Sequence, residues 1–310
     1  MQTGLLFANK LSLMCQHTHT QIHDMEIVSL NSLIEKSIID NWNRDALTDF
    51  KGATLQYHDV ARKIEKLHIM FENSGVQQGD KIALCGRNSA CWAVAFLATL
   101  TYGAVAVPIL HEFTAEQIHN IVNHSGAKLL FVGDVVATVI DATKMPDLEG
   151  IIYIPDYSLV VSRTEKLTYA REHLNEMFGK KFPKYFRQEH VHYRRETSGE
   201  EMALINYTSG TTGFSKGVMI PYRAMWSNYD FAMSVLGSTV KAGDSVISIL
   251  PMAHMYGMSF EFFFEFLHGC HIFYLTRVPS PAIIAQAFSE VKPAVIIAVP
   301  LVIEKIIRKK

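Results

Sequence analysis

Tyr207-Thr208-Ser209-Gly210-Thr211-Thr212-Gly213-Phe214-Ser215-Lys216-Gly217-Val218-Met219 is the stretch on which the reading of this chain turns. An apolar run, Met202 to Asn206, precedes it and reads as a strand. Val218-Met219-Ile220 follows as a second strand, stopped by Pro221. A loop therefore joins two strands. Gly210, Gly213 and Gly217 admit positive φ and close backbone approach. Thr208, Ser209, Thr211 and Thr212 offer hydroxyl hydrogens to phosphate oxygens, beside free backbone N–H groups. Lys216 is a compact cation suited to a phosphate. A solvated hairpin turn is the plainer alternative, but a turn needs about two to five special residues and this run is longer. It is not a Walker A loop, which requires Gly-Lys-Ser/Thr opening a helix; here Ser215 precedes Lys216 and Gly217 follows it.

Outward from that loop, the bulk properties narrow the class. At 310 residues the chain exceeds the size of most single cores, so one large domain or two subdomains are expected. Hydrophobic residues make up 49%, ample for a buried interior. The net charge of −1 argues against a nucleic-acid binder, and any nucleotide site must gather positive charge locally. Cys15, Cys85, Cys91 and Cys270 show neither Cys-x-x-Cys spacing nor a disulfide framework, which fits a reducing cytosol. Residues 1–24 read as a poorly ordered leader. His17, His19 and His23 within it are no stronger than chance as a metal site.

From Met25 the pattern becomes regular. Leu30, Leu33, Ile34 and Ile38 mark a short amphipathic helix. Two strands, Ala46 to Phe50 and Ala53 to Tyr57, flank Lys51-Gly52. Val60, Ile64, Leu67 and Phe71 share one helix face, and Gly75 ends that helix. Gly79-Asp80 turns into a strand at Lys81 to Cys85. Asn88 to Leu110 carries no charge and has the length of a membrane span, but it divides into a capped helix ending at Gly103 and a strand at Ala104 to Val107 before Pro108. A buried α/β unit explains that division better. Thr114 with Gln117 forms a capping box, and Lys128 to Val132 is the next strand. Such alternation predicts an α/β fold of mostly parallel sheets flanked by helices. Pro155 to Glu201 interleaves basic and aromatic residues. Its glutamates largely cancel the charge, so it reads as a solvated connector with one helix near Leu167 to Phe178. The domain boundaries expected are 25–200 for a first subdomain with its connector and 201–310 for the start of a second that carries the loop.

Beyond the loop, Pro221 opens a helix at its first position, and Ser245 to Leu250 is an apolar strand ending in Pro251-Met252-Ala253-His254-Met255-Tyr256-Gly257. A histidine directly after a buried parallel strand sits at the carboxyl edge of the sheet, where open α/β folds bind ligands. On its own it would more often be structural. Met258 to Leu267 is an aromatic run that reads first as core and second as an apolar acyl wall. His271 to Leu275 is a strand, Pro281 to Glu290 a helix, Pro293 to Val299 a buried strand, and Leu301 to Ile307 a last helix.

The glycine-hydroxyl-lysine stretch resembles the phosphate-binding loop of the adenylate-forming superfamily: acyl-CoA synthetases, firefly-type luciferases and peptide-synthetase adenylation domains. Ser215 departs from it where proline is usual. Gly79-Asp80, Asn88-Ser89, Gly103-Ala104-Val105 and Val107-Pro108 are similar in order to that family's first subdomain, and Pro251-x-x-His254-x-x-Gly257 is similar to its next motif. Lys292-Pro293, Val299-Pro300 and Glu304-Lys305-Ile306 resemble the medium- and long-chain acyl-CoA synthetase branch. The resemblance implies an acyl-CoA synthetase-like N-terminal domain using ATP, Mg2+ and coenzyme A, in which a fatty acid carboxylate attacks the α-phosphate and the acyl group then passes to the thiol. It implies Thr208, Ser209, Gly210, Thr211, Thr212, Gly213 and Lys216 as nucleotide ligands and Thr212 as a metal ligand. Lys216 is further implied as a catalytic charge, and His254 as the residue beside the substrate carboxylate. A cytoplasmic enzyme with peripheral membrane contact for its lipid substrate follows, with no nucleic-acid partner. The family's later motifs, a magnesium-binding glutamate, a ribose-binding aspartate and the lysine of a mobile C-terminal domain, are not found. The chain is therefore expected to be a truncated front half, inactive or weakly active without its missing C-terminal half.

Overall fold

The structure, a computed structural model, describes residues 29–208, 216–276 and 280–299. It opens with helix α1 (Leu30–Asp40), capped by the Ser29 hydroxyl, and a hairpin of β1 (Asp45–Asp49) and β2 (Thr54–Gln56). Helix α2 (Tyr57–Ser74) buries Val60, Ile64, Leu67 and Phe71, and it stops where Gly75 adopts φ 89°. Then come β3 (Lys81–Cys85), α3 (Ala90–Tyr102), β4 (Val105–Ile109), α4 (Ala115–Ser125) and β5 (Ala127–Val132). Both halves of the Thr114–Gln117 capping box form, at 2.9 and 3.3 Å. Strand β4 runs through Pro108 rather than ending before it.

Next are β6 (Gly150–Tyr153), an antiparallel edge strand β7 (Leu159–Ser162), and helices α5 (Glu165–Glu172) and α6 (Leu174–Lys181). The 155–201 segment thus holds a strand and two helices where one helix was expected. They pack on α2 through buried Leu167, Ala170 and Leu174. Strand β8 (Met202–Thr208) precedes β9 (Lys216–Pro221), α7 (Tyr222–Leu236) and β10 (Ser245–Ser248). Pro221 ends β9 with extended ψ 161° instead of starting the helix. A helical turn at Met255–Met258, a π-helical turn at Ser259–Phe263 and an α turn at Phe264–Leu267 follow end to end, then β11 (His271–Tyr274) and α8 (Pro281–Val291).

Two sheets form. Their strand orders are β7-β6-β5-β3-β4-β8-β9 and β10-β11-β1-β2. All pairings inside the first are parallel except the two edge hairpins, β6–β7 and β8–β9. Sheet membership does not follow the boundary drawn at residue 200. The strands bracketing the glycine-rich loop extend the sheet of residues 81–153, while the early hairpin pairs in parallel with β11. Residues 293–299 form no strand. Their one backbone bond to β10 is Ala294 N–H to Ser245 O at 2.9 Å, and Ile296 is 50% exposed. A buried parallel strand needs neighbours on its edges and both faces; among the described residues this segment has that one backbone bond to β10 and one side chain, Val295, against the core. The helix expected at 301–307 and the leader lie outside the described residues.

Successive residues of β3 point to opposite faces. Ile82 and Leu84 join the core shared with the second sheet, whereas Ala83 and Cys85 join the core under α4. Helix α3 is covered on every side, which explains its continuous apolarity: Trp92 stacks on Phe96, and Phe96 meets Phe262 and Phe263 edge-on. Among the described residues no helix is long and apolar enough to cross a membrane.

Candidate functional site

The two ends of the loop stand opposite each other. Thr208 pairs in register with Lys216 across the β8–β9 hairpin, and both side chains are exposed. Since β8 lies parallel to β4, Thr208 sits at the same carboxyl edge as the ends of β3, β4 and β5. Ser209, Gly210, Thr211, Thr212 and Gly213, and with them the expected metal ligand, lie outside the described residues. Gly217 has no positive φ. Its requirement is space: a Cβ there would stand 2.9 Å from Ile205 Cγ2 and 3.0 Å from the Tyr207 ring. The Tyr207 hydroxyl is in turn held 2.7 Å from His124 Nδ1.

His254 follows β10 on a short irregular segment whose backbone is pinned from three directions. Asn88 donates to Leu250 O (2.7 Å) and Ser248 Oγ (3.2 Å), and its Oδ1 accepts the Met252 N–H (2.9 Å). Glu261 Oε2 accepts the N–H groups of Ile249 (2.8 Å) and Leu250 (2.6 Å). Asn206, on the strand leading into the loop, donates to Ala253 O at 2.9 Å. That last bond ties the residue before His254 to the residue two before Thr208, so the three described site residues converge on one edge. The motif's spacing has a steric basis as well: a Cβ at Gly257 would meet Pro251 O at 2.6 Å and Leu250 Cβ at 3.1 Å. His254 is exposed among the described residues.

The sequence does not single out Asn206 or Glu261, and it marks Asn88 only as part of the Asn88-Ser89 helix opening. Signals existed. Asn206 is a carboxamide inside an apolar strand, and Glu261 and Glu265 are charges four apart inside a run of phenylalanines, hence on one helix face. Both glutamates are buried, at 0% and 1% exposure. Burial pushes the Glu261 carboxyl up to about 8, against the three hydrogen bonds that favour its anion. Burial, and then the neighbouring Glu261 charge, push Glu265 well above the usual carboxylate range. The aromatic run is core: Phe262, Phe263, Phe264 and Phe266 are all buried. Among the described residues no group of three or more His, Cys, Asp or Glu side chains could hold a metal ion.

Solved structures share this fold. The red-emitting luciferase of Phrixothrix hirtus superposes with a TM-score of 0.73 at 17% identity, covering 87% of this chain and 51% of that one. The N-terminal domain of FACL13 from Mycobacterium tuberculosis gives 0.65 at 21% identity, covering 85% and 61%. Residues 35–310 match the family model of the AMP-binding enzyme, and the chain belongs to that family. Its curated relatives include the human long-chain-fatty-acid–CoA ligase ACSBG2, 25% identical over 81% of this chain and 36% of that protein. The long-chain-fatty-acid–CoA ligase of Escherichia coli O157:H7 is 23% identical over 77% and 45% respectively. The chain thus spans less than half the length of these two relatives.

Proposed function

We propose that this chain is the front part of an ATP-dependent fatty acid–CoA ligase, the part that receives the triphosphate and orients the carboxylate for acyl-adenylate formation. The observation that carries the reading is the Asn206–Ala253 bond, which sets His254 beside the root of the Thr208–Lys216 loop. Lys216 places a point charge on the triphosphate, and the hydroxyls from Thr208 onward donate to its oxygens. His254 orients the attacking carboxylate. Adenylyl transfer depends on positioning and electrostatic stabilisation more than on covalent help, and a rigid sheet edge suits that. The donor set fits a nucleotide: exposed hydroxyl and ammonium groups flank a glycine-rich connection, with no carboxylate among Thr208 to Lys216 to repel phosphate. Mg2+ would supply further charge neutralisation. Thr212 is the residue that would hold it, through its hydroxyl. Coenzyme A is the acceptor in this reading, and a lipid substrate brings peripheral contact with a membrane.

The test is an ATP-induced thermal shift of the purified chain. Lys216→Ala is expected to abolish it, and an unchanged shift would remove Lys216 from the phosphate site.

A second reading, that the chain functions only when joined by the rest of a longer AMP-binding enzyme, is favoured by its exposed apolar edge. Val218 and Met219 on edge strand β9 are 49% and 69% exposed, unusual for an outer strand left uncovered. Pyrophosphate release from ATP and a fatty acid separates the readings. Little or none is expected from this chain alone, and turnover is expected after adding a polypeptide that supplies the downstream half. Robust turnover by the chain alone would overturn the second reading.

A further inference from the structure

The face formed by α2, α5 and the β6–β7 turn carries a cavity of about 410 Å3, within the range of small-molecule sites, about 300–1,000 Å3. Four cations line it: Arg62, Lys63 and Lys66 from α2, and Arg171 from α5. None of the four makes an ion pair among the described residues. Three of them are held in place by neutral partners. Arg171 Nε donates to Tyr157 O at 2.6 Å, and Lys66 Nζ donates to Asn175 Oδ1 at 2.8 Å and lies 5.3 Å above the Phe178 ring. Lys63 sits 5.7 Å above the Tyr157 ring.

The two carboxylates in the cavity wall are engaged elsewhere. Asp59 accepts the Gln56 N–H at 3.1 Å, and Asp156 accepts Ser158 N–H and Oγ–H at 2.9 and 2.6 Å. Neither carboxylate pairs with a lining cation, and four cations against two carboxylates leave the wall with an excess of positive charge. Burial first, and then the charges of Lys63, Arg62 and Arg171, hold the Lys66 amine below its ordinary value, a strain an anion would relieve.

We propose that this cavity is an anion site for a phosphate-bearing ligand, separate from the loop at Thr208–Lys216. Its floor, the turn after β6, lies four strand steps from β8 in the order β6-β5-β3-β4-β8, about 19 Å at the usual strand spacing. One triphosphate does not reach both. Half-buried lysines on a rigid helix, with an arginine fixed by carbonyls, are suited to a compact dianion such as a phosphate monoester or a diphosphate. A soluble metabolite and a lipid headgroup both present that chemistry.

Pyrophosphate is the probe, titrated calorimetrically into the full chain carrying Lys216→Ala, so that the loop site is silenced. Binding is expected to persist there and to weaken as ionic strength rises. Adding Arg62→Glu, at an exposed position that leaves packing intact, or Lys63→Gln, is expected to weaken it at least tenfold while the circular dichroism spectrum stays the same. No binding in the Lys216→Ala chain, or equal affinity in all these variants, overturns the site. Sedimentation with phosphatidic acid vesicles, against phosphatidylcholine vesicles as control, identifies the source. Arg62-dependent sedimentation supports a lipid headgroup, and pyrophosphate binding without sedimentation supports a soluble ligand.

Discussion

A single carboxamide, Asn88, joins the two sheets at the point where the candidate site needs them in register. It reaches from the turn after β3 to the Ser248 hydroxyl at the end of β10 and to two backbone groups just beyond it, and the residue next to it caps α3. Asn88→Ala strands the Met252 N–H and the Leu250 carbonyl in a half-buried setting. The expected loss is about 1–3 kcal/mol of unfolding free energy, read by urea denaturation. A change within error would show that water takes over these bonds. The sequence marks Asn88 and Asn206 only faintly, because a carboxamide's partners are chosen by the packing of strands far apart in the chain. The turn from Pro251 to Gly257 is legible for the opposite reason. Its contacts are local, and the Gly257 requirement arises from a carbonyl six residues earlier.

At the scale of elements, legibility tracked the punctuation. Helices α3 and α4 begin at hydroxyl caps, Ser89 and Thr114, and end at glycines with φ 87° and 66°, so their limits are written in four residues. The 155–201 segment is marked only where α5 begins, at the Thr164 hydroxyl cap: α5 ends at His173, and α6 begins at that same residue without a side-chain cap. With no glycine or cap at that junction, two helices that bury only Leu167, Ala170 and Leu174 read as one. Pro293 to Val299 failed differently, since an apolar composition states a preference for burial and not the existence of neighbours. Helix α3 is the element whose packing bears most directly on the site, for Phe96 supports the helix that carries Glu261. Phe96→Ala is expected to cost about 3–5 kcal/mol, again by urea denaturation. A loss below about 1 kcal/mol would mean the cavity collapses without cost.

For the whole molecule, two buried groups set opposing pH dependences. Folded Glu261 keeps its proton up to about pH 8, whereas an unfolded glutamate gives it up near 4.5. Its stabilising contribution is full below pH 4.5 and is lost as pH rises through 8. Folded His68, buried against Ala98 O and Thr101 Oγ1, stays neutral down to about 4, whereas an unfolded histidine protonates below 6.5. Its contribution is full above 6.5 and is lost as pH falls toward 4. Between 4.5 and 6.5 the two oppose each other, so from pH 6.5 to 8 the glutamate acts without that counterweight. Wild-type stability should fall there more steeply than that of Glu261→Gln, by up to about 1.4 kcal/mol per pH unit. Equal slopes in pH-dependent urea titrations would show that Glu261 is already ionised.

The pairing of β1 with β11 also bears on how the chain is made. Asp49 meets Tyr274, 225 positions later. At translation rates of about 5–20 residues per second, the first hairpin leaves the ribosome roughly 10–45 s before its parallel neighbour exists. Throughout that interval one flank of β1 has no cognate strand. Nascent copies crowded on a polysome would be drawn to one another along that flank, which makes it a natural client surface for ribosome-associated chaperones.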